Sequence, residues 1–84
     1  MRVLYFAWVR ERIGTGEESV SPPADVTTVA ALVDWLAGRS DAHAGALADR
    51  HRLRAAIDGE FVPLDAALDG AAAEVAIFPP VTGG

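Results

Sequence analysis

Residues 29–37 carry the one strong helical signal in this chain, and that signal limits the architecture. Val29, Leu32, Val33 and Leu36 recur at helical spacing and make a single apolar stripe. Thr28 stands where an N-cap hydroxyl is needed, and Gly38 can supply a left-handed C-terminal cap. The other apolar segments are short and rich in β-branched and aromatic residues, which suits strands. One helix laid across a small mixed sheet is the economical way to bury both, so the expected class is α+β.

The strand candidates are residues 2–9, 17–21, 53–58, 61–62 and 74–78, giving a sheet of four to five strands. Residues 2–9 read as one run with both parities apolar. Both of its faces are therefore expected to be covered, one by the core and one by something else. Residues 17–21 read as an edge strand that ends at Pro22-Pro23, because proline cannot donate to a ladder. In residues 74–78, Val75 and Ile77 share one face while Ala76 and Phe78 share the other. Residues 42–49 read as a weaker helical segment, and residues 64–68 as a single helical turn. No internal repeat or interdomain linker is visible.

The totals exclude several function classes. A chain of 84 residues forms one domain, and its 51% hydrophobic content suits a packed core. Cysteine is absent, which removes thiolate chemistry and thiolate-held zinc. All seven basic residues are arginine, so no lysine can form a Schiff base or accept an isopeptide bond. A formal charge of −5 argues against nucleic acid as a partner. No apolar run reaches membrane-spanning length, and no signal-peptide pattern follows Met1, so a cytoplasmic protein is expected. His43 and His51 lie in polar sequence and are expected at the surface, without metal. Arg50, Arg52 and Arg54 alternate and are expected to form a solvated stripe on one strand face. Trp8 and Trp35 read as core or half-buried packing residues.

The end of the sequence reads differently from the rest. Residues 1–78 have the marks of a compact domain, and residues 79–84 those of an extended tail. Pro79-Pro80 favours a pre-extended arm, which loses less entropy on entering a partner. The arm reaches at most about 20 Å beyond the sheet. Thr82 is its last side chain able to hydrogen-bond. Gly83 and Gly84 lack Cβ atoms and can enter a channel too narrow for other residues. The expected working group is the α-carboxylate of Gly84. A carboxylate is a poor electrophile and needs activation, for instance as an acyl-adenylate made with ATP. The chain has no Walker-type loop, so an activating site must lie on another protein. A frayed, functionless terminus is the bland alternative. Phe6, Phe61 and Phe78 could belong to the core, although parity sets Phe78 opposite to Val75 and Ile77.

The string Phe78-Pro79-Pro80-Val81-Thr82-Gly83-Gly84 resembles the ending of the small, sulfur-carrier subunits of molybdopterin synthase. Val3-Leu4-Tyr5-Phe6-Ala7 with Val9-Arg10-Glu11, and residues 55–62, are similar to that family as well. Asp58 departs from it, since asparagine is common there, and residues 71–73 lack the usual acidic turn. The resemblance implies a ubiquitin-like β-grasp fold. It also implies adenylation of Gly84 by an E1-like enzyme using ATP, then a thiocarboxylate that gives sulfur to cyclic pyranopterin monophosphate. It implies a large synthase subunit as partner, in a heterotetramer, with Phe6, Phe61, Phe78, Pro79, Pro80, Val81 and Thr82 at the contact. No cofactor or metal is expected on this chain, and no active site without the partner. Two other readings stay open: a sulfur carrier for another pathway such as thiamine thiazole synthesis, and a ubiquitin-like interaction module or protein-conjugating modifier.

Overall fold

The computed structural model describes residues 1–80. Its elements in chain order are β1 (Arg2–Tyr5), α1 (Ala7–Ile13), β2 (Glu17–Ser19), α2 (Val29–Ala37), α3 (Asp41–Ala46), a 3₁₀ turn (Arg50–Arg52), β3 (Arg54–Ile57), β4 (Glu60–Val62) and β5 (Glu74–Phe78). The five strands form one mixed sheet in the order β2-β1-β5-β3-β4. β1 and β5 pair parallel, and the other pairs are antiparallel. The amino-terminal hairpin and the carboxyl-terminal strands thus meet at the centre, with α2 in the crossover between them.

The stripe of α2 supplies the helical side of the core. Val29, Leu32, Val33 and Leu36 are fully buried, and they pack into one cluster with Val3, Tyr5, Ala55, Val75 and Ile77 of the sheet. The helix starts where the sequence says it does: the Thr28 hydroxyl accepts from the Ala31 amide at 3.0 Å. It ends differently. Gly38 has φ −79 and continues the right-handed conformation. The left-handed cap belongs instead to Gly14 at the end of α1, with φ 96 and its N–H on the Arg10 carbonyl.

Residues 2–9 are not one strand. β1 stops at Tyr5, and residues 7–13 coil into α1. Val9 is fully buried and Ile13 packs against the core one turn later, a helical i, i+4 pair. Through Val9 the alternation of apolar residues mimics a strand, and the period of four emerges only at Ile13. Gly14 then ends the helix. Residues 64–68 form a turn rather than a helix, with Thr28 and Ala67 joined as an isolated antiparallel bridge. The second strand is an edge strand, shorter than expected. No helix among the described residues is long and apolar enough to cross a membrane.

Candidate functional site

The sheet has two unlike faces. Val3, Tyr5, Val75, Ile77 and Ala55 point into the core. The opposite parity leaves a continuous row through the register: Leu4 pairs with Ala76, Ala76 with Ala56, and Ala56 with Phe61. Alternation along each strand dictates this division. The small alanines at the middle of the row make its floor, and phenylalanines raise its walls. The result is an open groove of about 670 Å³ lined by Leu4, Ala56, Ala76 and the three phenylalanines, with Pro79 and Pro80 at one end.

Phe6, Phe61 and Phe78 are therefore brought together, from β1's end, β4 and β5. Phe61 is 81% exposed and Phe6 47% exposed. The Phe61 and Phe78 rings lie 5.4 Å apart, tilted by 44°, so each shields part of the other. Water gains little from contact with such a surface, and apolar groups on this scale usually have a covering partner. The second face of β1, expected to be covered, is open among the described residues. Val81, Thr82, Gly83 and Gly84, expected to extend beyond the sheet as part of the tail, lie outside the described residues.

The edges of the groove are polar. Glu74 lines it and is paired with Arg2 at 2.8 Å. Arg54 pairs with Phe78 in the β3–β5 register and donates to the carbonyls of His51 and Leu53. The three arginines expected on one strand face are thus dispersed. Arg50 binds the Asp34 carboxylate, Arg52 lies 5.0 Å from the Trp8 ring, and only Arg54 is in a strand. The turn Asp58-Gly59 closes the far end. Asp58 takes a positive φ of 48, and its carboxylate accepts from the Ala73 and Glu74 amides at 3.1 and 2.9 Å.

His43 is the clearest miss of the sequence reading. It is buried, with Nε2 at 2.8 Å from Glu18 Oε2 and Nδ1 at 2.7 Å from the Ser40 hydroxyl. Tyr5 donates to the same Glu18 oxygen at 2.7 Å. Burial pushes the Tyr5 hydroxyl well above its ordinary value, and the Glu18 hydrogen bond adds to that. At Glu18, burial pushes up, but the hydrogen bonds from His43 and Tyr5 and the charge of Arg39 outweigh it, and the carboxyl sits below its ordinary value. This network lies on the core side of the sheet, away from the groove. Its role is to satisfy polar groups between β2 and α3. No group of three or more His, Asp or Glu among the described residues could hold a metal ion.

The floor residues Leu4, Ala56 and Ala76 were not singled out from the sequence. Their parity with Phe6 and Phe78 was the available signal, but alanines in a strand read equally well as core.

The comparisons with known proteins agree with this geometry. The sequence pattern of the ThiS family matches residues 3–84. The chain is 48% identical to the molybdopterin synthase sulfur carrier subunit of Escherichia coli, over all of this chain and 99% of that one. It is 38% identical to the protein of the same name from Haemophilus influenzae, again over all of this chain and 99% of the relative. Among solved structures, small archaeal modifier protein 1 of Haloferax volcanii superposes with a TM-score of 0.72 at 30% identity, covering 96% of this chain and 97% of that one. With the ubiquitin-like β-grasp architecture, the full-length match and the shared family pattern together, this chain belongs to the ThiS family, as a relative of the molybdopterin synthase sulfur carrier subunits.

Proposed function

We propose that this chain is the sulfur-carrier small subunit of a molybdopterin synthase, working in the cytoplasm. The observation that carries the reading is the apolar groove beside Phe78, Pro79 and Pro80, where β5 hands the chain on to its last residues. In this reading residues 1–78 are a docking body and residues 79–84 an arm. The body binds the large synthase subunit through Phe6, Phe61 and Phe78. Pro79, Pro80, Val81 and Thr82 lead the arm inward, and Gly83 lets it pass a narrow channel.

The chemistry would take place at Gly84. An E1-like enzyme binds ATP, and the Gly84 carboxylate attacks the α-phosphorus with loss of pyrophosphate. A sulfur nucleophile then displaces AMP, leaving a thiocarboxylate. In the heterotetramer with the large subunit, that sulfur passes to cyclic pyranopterin monophosphate, and two transfers complete the dithiolene. The chain lacks cysteine, so no thiol of its own competes for the activated carbonyl. Catalytic side chains and the nucleotide site belong to the partners.

The likeness to an archaeal modifier supports a second reading, in which the activated Gly84 is joined to amines of other proteins. Intact mass after incubation with the activating enzyme, ATP and a sulfur source separates the cases. Exchange of one oxygen for sulfur at Gly84 is the expected result. Added large subunit and pterin precursor should then return the carboxylate and yield dithiolene. A chain that keeps its mass with every activating enzyme is not a sulfur carrier. One that gains sulfur yet gives no dithiolene serves another pathway, such as thiazole synthesis.

A further inference from the structure

We propose that Ala7 is a positioning residue: its left-handed backbone holds Phe6 over the apolar groove before any partner arrives. The inference rests on the reading of that groove as the docking face for the large synthase subunit.

Ala7 has φ 54. An L-residue with a Cβ occupies this region only at a cost, because the Cβ approaches the neighbouring carbonyl oxygen. The other non-glycine residue with positive φ, Asp58, belongs to a type that tolerates the conformation through its short polar side chain. Alanine has no such help. The methyl of Ala7 is exposed, so burial of its own side chain offsets nothing.

The surroundings show what the strain achieves. Tyr5 and Val9 are both anchored in the core, at 1% and 0% exposure. Between them the chain must leave a strand and enter a helix with no loop. Phe6 stays extended, with φ −130 and ψ 157, and its N–H donates to the Ile77 carbonyl at 3.2 Å. Its own carbonyl accepts from Arg10 in the first turn of α1. The reversal is therefore concentrated at Ala7. It leaves Phe6 half-exposed on the groove side, with Phe61 and Phe78, while Tyr5 and Val9 face inward. Ala7 lines the same groove. A glycine would relax the turn, but it would also widen the range of backbone angles beside Phe6. Alanine keeps the range narrow, so less order remains to be imposed on binding.

The test compares three full-length chains made by total chemical synthesis: wild type, Ala7→Gly, and Ala7→D-Ala. D-alanine favours positive φ, so it keeps the turn narrow and removes the strain. Thermal unfolding and Kd for the purified large synthase subunit are measured for each. Ala7→Gly is expected to keep or gain thermal stability yet bind roughly threefold to tenfold more weakly, the cost of ordering one side chain. Ala7→D-Ala should gain stability and bind at least as tightly as wild type. A purely structural role would leave affinity unmoved in both. Wild-type affinity in Ala7→Gly, or weakened binding in Ala7→D-Ala, overturns the inference alone. A wild-type chain that does not bind the large subunit overturns the docking reading and this inference with it.

Discussion

His43 Nε2 lies 2.8 Å from Glu18 Oε2, joining α3 to the edge strand β2. A carboxylate can only accept, so that nitrogen carries the proton, and Tyr5 donates to the same oxygen. β2 is three residues long and pairs with β1 on one side only. Such a strand gains from a side-chain anchor as well as its ladder. Replacing Glu18 by alanine leaves a buried imidazole and a buried phenol without their acceptor. The expected loss is about 1–3 kcal/mol, read from urea unfolding. A loss near zero would mean that water replaces the carboxylate without cost.

The same carboxyl gives a pH dependence with a definite sign. Its folded value lies below the ordinary 4.5. The stability it contributes is present above that ordinary value and is lost as acid carries the pH down through the folded one. Unfolding curves taken from neutral to acid pH should therefore converge for wild type and Glu18→Gln at the acid end. Tyr5 acts in the opposite range. Its folded value is raised, so its contribution holds below the ordinary 10.0 and declines as the pH rises past it. Tyr5→Phe should flatten that alkaline decline.

Two apolar residues on opposite faces of the sheet, Ile77 toward the core and Phe61 on the groove, should separate stability from binding. Ile77 is fully buried, and Ile77→Ala is expected to cost about 2–5 kcal/mol. Phe61 is mostly exposed, so Phe61→Ala should stay within about 0.5 kcal/mol of wild type. Calorimetric titration with the large synthase subunit should reverse the order. Phe61→Ala should weaken binding substantially in a fully folded chain.

Removing the Thr28 hydroxyl should cost about 1 kcal/mol, because the Ala31 amide loses its acceptor at the start of α2. Thr28→Ser should retain most of that, since the acceptor atom survives. Thermal unfolding of the two variants distinguishes a cap from a packing effect of the methyl group.

Deleting Gly83 and Gly84 should leave the fold intact and abolish sulfur transfer. Affinity for the large subunit should fall only in part, because the groove and its phenylalanines are untouched. An added residue after Gly84 should inactivate as well, since it displaces the carboxyl group. Dithiolene formation by the truncated chain would rule out Gly84 as the donor.

The sequence by itself determined the elements whose signals are local. α2 was legible because capping and a 3.6-residue stripe coincide at Thr28, Val29, Leu32, Val33 and Leu36. The two faces of β5 were legible because alternation survives through Val75, Ala76, Ile77 and Phe78. The tertiary structure decided whatever depends on residues distant in the chain. α1 was hidden because apolar residues go on alternating through Val9, past the left-handed turn at Ala7 where the helix begins, and the helical spacing shows only at Ile13. His43 looked like a surface residue because its partners, Glu18 and Tyr5, lie far away in sequence. Pairing alone could set Leu4, Ala76, Ala56 and Phe61 in one row, since a groove is a property of register between strands and no single strand contains it.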